Sequence, residues 1–246
     1  MKQFLKQVLP EDVLFSAHRF IIWARDVYRK NTYKYYGSNQ WDENNTHNMN
    51  VYYDLMTLDY MSIKEKYPSY FERLEQTIPC ATGHVLEIGC GSGNITRWIV
   101  KKEDVFHIVA VDAFQKPLEM LAKTLSKYEK KITTHCSTMG EFVSNQLFDS
   151  VMLCEIIEHI NQHEEYTFLK NIQNNLIKYE APYTPGYSAT RWVVSTPIGF
   201  MPDPHHLRGF SKAQFIRHLE RNYGVIKGIS YNDCQQTAWG YFRLPR

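Results

Sequence analysis

Long apolar runs are missing from this chain: no stretch approaches the ~18 residues that a membrane-crossing helix needs. The opening residues, MKQFLKQVLPEDV, lack the apolar segment of an export signal, so the expectation is a cytoplasmic protein with no membrane partner. A surplus of one charge is missing too. With 28 Lys and Arg against 26 Asp and Glu, the formal net charge of +2 advertises no strong polyanion field, though a local basic patch fits within that total. Cysteines are few: Cys80, Cys90, Cys136, Cys154 and Cys234 are odd in number and form no C-x-x-C pair. No disulfide framework is expected from them, only reduced, mostly buried thiols. Internal repeats and low-complexity tracts are absent, and 246 residues fit one α/β domain with a sizeable cap.

What is present is concentrated between His84 and Asp112, HVLEIGCGSGNITRWIVKKEDVFHIVAVD. A short apolar run from His84 to Ile88 enters Gly89-Cys90-Gly91-Ser92-Gly93, and a helical stretch follows. A second apolar run, Ile108 to Val111, ends on Asp112. This is a strand, a glycine turn, a helix and a second strand, the unit that binds a nucleoside at its carboxyl edge. Dinucleotide sites usually read G-x-G-x-x-G. Here the pattern is G-x-G-x-G, with Glu87 before it and Asn94 after it. A pyrophosphate has no use for an acid beside its cradle, whereas the ammonium group of a methionine moiety does. Gly89, Gly91 and Gly93 would admit that moiety, Glu87 would meet its charge, and Asp112 can accept from both hydroxyls of a ribose.

The pattern along the chain divides it near Pro79. Apolar residues from Val13 to Tyr28 fall at helical spacing behind Pro10, Glu11 and Asp12. Residues 31–50 are rich in Asn and Tyr and read as a loop or lid, and helices are expected near 52–63 and 69–77. These make a helical, aromatic-rich cap, residues 1–79, with Tyr33, Tyr35, Tyr36, Trp41, Tyr52, Tyr53 and Tyr60 able to stack on an acceptor or simply to pack. Residues 80–246 then alternate. Strands are expected at 84–88, 107–112, 132–136, 149–154, 191–195, 225–230 and 238–243. Helices are expected near 94–102, 116–128 and 164–178, with a short one around Met139 to Ser144. Ser211 with Gln214 makes a capping box for another helix, to about Asn222.

From about Cys80 onward the chain resembles the class I S-adenosylmethionine (SAM)-dependent methyltransferases. The resemblance is carried by V-L-E-I-G-C-G-S-G, V-A-V-D, F-D-S-V-M-L-C-E-I-I-E-H and V-V-S-T-P, in that order. It implies an α/β, Rossmann-like, mostly parallel seven-stranded sheet of order 3-2-1-4-5-7-6, with one antiparallel strand and helices on both faces. It also implies SAM as cofactor. The family often places an acid or amide after the third strand to meet adenine; here Cys136-Ser137-Thr138-Met139-Gly140-Glu141 has no Asp, so Thr138 or a backbone carbonyl is expected to substitute, with Met139 against the ring.

The second constellation is Glu155-Ile156-Ile157-Glu158-His159 after the fourth strand, joined by Ser195-Thr196-Pro197 and Pro204-His205-His206-Leu207-Arg208-Gly209-Phe210-Ser211 after the fifth. Side chains at carboxyl strand ends face the bound ligand, so Glu155 is counted with the cofactor residues. Methyl transfer needs an aligned nucleophile and often a base, so His159, His206 and Glu158 are the catalytic candidates. Two readings stand side by side. Two Glu and two His at Glu155, Glu158, His159 and His206 are similar to the divalent-metal set of the small-RNA 3′-terminal 2′-O-methyltransferases, and mixed O and N ligands suit Mg²⁺ or Mn²⁺. The same E-x-x-E-H is also similar to metal-free small-molecule enzymes such as the ubiquinone-pathway O-methyltransferases. The segment Gly199-Phe200-Met201-Pro202-Asp203-Pro204 lacks the basic residues of the RNA enzymes. A small-molecule or saccharide hydroxyl is the leading acceptor and an RNA ribose the alternative. A SAM-binding subunit without chemistry is the third reading.

Overall fold

The computed structural model describes residues 55–178, 187–199 and 206–244. The expected helix from Val13 to Tyr28, the stretch 31–50 with its tyrosines and Trp41, and also Tyr52 and Tyr53, lie outside the described residues.

Two short helices come first. α1 (Tyr60–Lys66) opens at Asp59, whose carboxylate accepts the N–H of Ser62 at 2.8 Å. The helix expected over 52–63 is therefore interrupted: residues 55–57 are helical and the run restarts after Asp59. A short acceptor side chain favours a cap over a helix interior, which is why the apolar spacing did not carry through. α2 (Pro68–Thr77) begins on Pro68, where the missing N–H costs nothing.

The sheet and its connections follow as β1 (Gly83–Ile88), α3 (Thr96–Ile99), β2 (Val105–Asp112), α4 (Gln115–Thr124), β3 (Ile132–Cys136), β4 (Ser150–Cys154), α5 (Gln162–Asn171), β5 (Tyr187–Pro197), α6 (Lys212–Asn222), β6 (Gly224–Tyr231) and β7 (Gln235–Arg243). The strand order is β3-β2-β1-β4-β5-β7-β6, as the family resemblance implies. β7 runs antiparallel to both neighbours and the other pairings are parallel. The order reverses between β1 and β4, so a crevice opens at their carboxyl ends.

Alternation along the strands explains why both faces are covered. Leu86, Ile88, Val151 and Leu153 point to one face, against Phe168 and Leu169 of α5 and Phe215 and Leu219 of α6. Val85, Ile108, Ala110 and Met152 point to the other, against Ile63, Phe71, Leu74, Leu118 and Leu121 from α1, α2 and α4. Each such side chain contributes ~2 kcal/mol by leaving water.

Several elements differ from expectation. α3 is one turn, not a helix over 94–102. The β-branched Ile95, Thr96, Ile99 and Val100 disfavour a longer run, and the flanking bonds tighten to i→i+3, as from Trp98 N–H to the carbonyl of Ile95 at 2.9 Å. Residues 139–144 form no helix, only a turn in which Glu141 and Phe142 N–H both donate to the Thr138 carbonyl. The helix expected at 164–178 starts after Asn161, whose side chain accepts from Glu164 N–H at 2.8 Å, and loosens into a π turn over Ile172–Leu176. β5 begins at Tyr187 rather than 191. The capping box at Ser211 and Gln214 forms with both of its bonds. The five cysteines are all free, but Cys90 alone is buried and Cys136 is exposed. Cys136 ends the edge strand β3, whose side chains face solvent over most of its length.

Candidate active site at the carboxyl edge of the sheet

The glycine turn leaves β1 and is fastened to β2 by two backbone bonds, from Gly89 and Cys90 N–H to the Val111 carbonyl at 2.7 and 3.1 Å. Gly89 has φ +70°, and a Cβ there would overlap the side chain of Ile156. Gly93 has φ +92°, and its Cβ would press on Leu121 at 3.0 Å. Both positions therefore require glycine. Gly91 lies in the same left-handed region and donates its N–H to Asp112 Oδ2 at 2.9 Å. Asp112 Oδ1 accepts from Phe114 N–H at 3.0 Å. The acid at the tip of β2 thus sets the shape of the turn itself and keeps lone pairs for a ligand. Burial pushes its carboxyl up, and the Phe114 and Gly91 amides pull it back.

Glu87 sits beneath the turn, 4% exposed, and accepts the Thr96 hydroxyl at 2.7 Å. Burial raises its carboxyl from an ordinary value of 4.5 to about 7, despite the Thr96 hydrogen bond, and Asp112 adds to the rise. A cation arriving there would meet an acid whose charge is still unmatched. Thr138 donates its hydroxyl to Glu141 at 2.8 Å, in the turn that Ser137 N–H fastens to the Asp112 carbonyl at 2.9 Å. Met139 is a buried member of the apolar cluster under α5, packed near Phe142.

The second constellation separates. Glu155 has φ +59°, the one non-glycine in the left-handed region among the described residues. Its carboxylate accepts from the Ser195 hydroxyl at 2.9 Å and the Gln235 amide at 3.2 Å, and pairs with Arg73 of α2 at 3.3 Å. Glu158, His159 and His206 come together instead. The two rings meet edge to face with centroids 4.7 Å apart, and one ligand atom from each of the three residues lies within 4.8 Å of the others. Glu158 is 1% exposed; Oε2 accepts the Thr196 hydroxyl at 3.1 Å, while Oε1 is buried without a hydrogen-bond partner. Burial and the neighbouring Glu155 push the Glu158 carboxyl well up. The His206 segment is held by Leu207 and Arg208 N–H, both donating to the Glu158 carbonyl. His205 lies outside the described residues.

Sequence reasoning missed Arg73, Gln235, Glu165 and the part played by Arg208. Arg73 is hidden because it comes from α2, far earlier in the chain than its partner Glu155. Arg208 had a signal, standing two residues after His206 in a segment already singled out. A cleft of about 350 Å³ opens elsewhere, between α2 and β5–β7, lined among others by Cys80, Arg191, Trp239 and Tyr241. No candidate site residue lines it, so the chemistry at the strand ends decides the assignment.

A sheet of this order, with a glycine turn clasped by the acid of the second strand, defines a class I methyltransferase fold. Residues 85–178 match the family model described as a methyltransferase domain. The chain carries a SAM-dependent methyltransferase domain, that of an enzyme with SAM as its methyl donor. The chain is 26% identical over 189 residues to the ubiquinone biosynthesis O-methyltransferase of Rickettsia canadensis (strain McKiel), covering 68% of this chain and 77% of that protein. Among solved structures, the DhpI–SAH complex matches 80% of this chain and 92% of its own, at 15% identity and a TM-score of 0.55. The small RNA methyltransferase HEN1 matches 71% of this chain at 18% identity and a TM-score of 0.54, and this chain spans a quarter (25%) of its length. These two likenesses show the fold. Among the described residues no helix is long and apolar enough to cross a membrane.

Proposed function

We propose that the enzyme methylates a hydroxyl oxygen of a small-molecule or saccharide acceptor, with the His159–His206 pair taking the hydroxyl proton. The observation that carries this reading is that pair, ring centroids 4.7 Å apart in the connections that follow β4 and β5, beside a buried carboxyl group. The name of the Rickettsia relative, an O-methyltransferase, supports oxygen as the acceptor atom. The residues present fit SAM: the turn at Gly89, Gly91 and Gly93 admits backbone close to a ligand, Asp112 is placed for ribose hydroxyls, and the unmatched acid Glu87 for an ammonium group. Thr138 lies at the adenine end, with Met139 packed beneath. Glu155 instead ties the cap to the sheet, and Pro79 marks the border between cap and methyltransferase domain.

Bound SAM supplies an electrophilic methyl carbon on a sulfonium. The protein would hold the acceptor hydroxyl beside a histidine nitrogen, which accepts its proton as the oxygen–carbon bond forms and the carbon–sulfur bond breaks, its electron pair leaving on sulfur in S-adenosylhomocysteine. Glu158 holds the histidine segments in register through its own backbone carbonyl. The test is SAM turnover against hydroxylated aromatic and saccharide panels, with wild type and H206A compared. The expected result is methyl on oxygen, with H206A losing turnover far more than SAM affinity. Equal loss of both would make His206 structural, and no turnover on any acceptor would favour a SAM-binding subunit.

One observation favours a second reading, metal-assisted 2′-O-methylation of a terminal RNA ribose. Glu158 Oε1 is a buried oxygen without a partner, beside two imidazoles within ligand distance of a shared ion. Glu158, His159 and His206 would hold Mg²⁺ or Mn²⁺, which would polarise the acceptor hydroxyl. Glu155 is not in that group. Loss of activity in EDTA with recovery in Mn²⁺, on an RNA oligonucleotide with a free 3′ ribose, would establish it; full activity in chelator would end it.

A further inference from the structure

The two histidine-bearing segments belong to different connections, one after β4 and one after β5, yet they hold a fixed relation. Two consecutive carbonyls carry the join. The Glu158 carbonyl accepts Leu207 N–H at 2.7 Å and Arg208 N–H at 3.1 Å. The Ile157 carbonyl accepts the Arg208 guanidinium through Nε at 3.0 Å and through Nη2. The remaining arm, Nη1, pairs with Glu165 Oε2 of α5 at 2.7 Å. Glu165 is 2% exposed, and its other oxygen accepts the Tyr223 hydroxyl at 2.6 Å and pairs with His218 of α6 at 2.9 Å.

The geometry points to Arg208 as a positioning residue: with Glu165 behind it, it clamps the His206 segment onto the Glu158–His159 segment and sets the relation of the two rings. The planar guanidinium suits this task because its fork reaches a carbonyl and a carboxylate at once, which an ammonium does not. Glu165 gives the clamp a rigid base. Despite burial, the His218 and Tyr223 hydrogen bonds and the Arg208 charge hold its carboxyl down at about 2, so it stays ionised at any working pH. Tyr223, fully buried and pushed well up, remains a hydroxyl donor. Through Glu165, His218 and Tyr223 the clamp is built into α5, α6 and the C-cap of α6, elements whose apolar side chains belong to the packed core. A ring displacement of ~1 Å is enough to cost methyl transfer heavily, so a clamp at the junction is where alignment is decided.

The inference rests on reading His159 and His206 as a working pair, and its test is independent of turnover. Protein with ¹⁵N-labelled histidine, bound to S-adenosylhomocysteine, is compared with R208K and E165Q. The ring signals of His159 and His206, assigned with H159Q and H206Q, are expected to shift in both variants. Those of His84 and His107, at the opposite end of the sheet, are expected to stay. S-adenosylhomocysteine affinity by calorimetry is expected to change less than about twofold, because the clamp touches no candidate cofactor residue. A merely structural Arg208 would lower the melting temperature and leave those two signals where they are, which would overturn the proposal. Failure of both variants to fold would also overturn it, making the network a stability element. If the signals move while H159Q and H206Q keep full methyl transfer, the clamp stands and the histidine-base reading fails.

Discussion

The carboxylate of Asp112 accepts the backbone N–H of Gly91 at 2.9 Å, so the acid that ends β2 also shapes the glycine turn that leaves β1. On the proposed reading this side chain has two jobs: it fixes the turn before a ligand arrives and would offer its remaining lone pairs to a ribose. Replacing Asp112 by Ala removes both. We expect D112A to bind SAM more weakly by about 2 kcal/mol, roughly thirtyfold, the loss of charge-assisted hydrogen bonds. D112N, which keeps one acceptor oxygen, should lose less. Isothermal calorimetry decides it: an unchanged affinity for D112A would remove this residue from the site.

Glu87 gives a pH dependence with a definite sign. Its carboxyl rises from 4.5 to about 7 in the folded protein, chiefly by burial. The folded state thus holds this proton more tightly than the unfolded chain does. The stability it contributes is complete below about pH 4.5 and is lost as pH rises through 7, on the order of 3 kcal/mol over the window. The ligand-free protein should therefore show a melting temperature that falls between pH 5 and 8 more steeply than that of E87Q. SAM should oppose the fall, since a bound ammonium favours the ionised carboxylate and its uptake releases a proton. Calorimetry at pH 6 in buffers of different ionisation enthalpy reads that proton directly; identical heats in all buffers would refute the pairing of Glu87 with the cofactor.

The sheet was legible because its signals are local and periodic. Apolar runs of five or six residues, each ending on a glycine, an acid or a cysteine, mark β1, β2 and β4, whereas the strand order comes from the family resemblance and not from spacing. The gathering of the residues proposed for the cofactor was legible for the same reason: Glu87, Gly89, Gly91, Gly93 and Asp112 all fall within one βαβ unit. The acceptor side was legible only as a set of residue types. Glu155 and Glu158 stand three residues apart in one motif, yet the left-handed backbone of Glu155 turns its carboxylate to Arg73, Ser195 and Gln235, while Glu158 turns to Thr196 and the histidines. A reversal of direction at a single φ is invisible in residue spacing. Arg73 and Glu165 were hidden for another reason, since their partners lie far along the chain and no periodicity links them.

The contact between Gly89 and Ile156 allows two causes of glycine dependence to be separated. A Cβ at Gly89 would collide with the side chain of Ile156, and its φ of +70° is unfavourable for any L side chain. The collision is steric and belongs to the pair; the backbone cost belongs to Gly89 alone, about 1–2 kcal/mol. G89A should therefore destabilise by more than the backbone cost, by ~3 kcal/mol, in denaturant unfolding. I156A creates space where the new methyl group would go, so the double variant G89A/I156A should recover the steric part and keep the backbone part. The two substitutions should couple by ~1 kcal/mol or more in a double-mutant cycle. Simple additivity would show that the turn moves away from Ile156 instead, and SAM affinity should then fall in G89A and stay low in the double variant. If the turn holds its place, the double variant should bind SAM better than G89A does, because the loop after β4 would no longer be pushed outward by the added methyl.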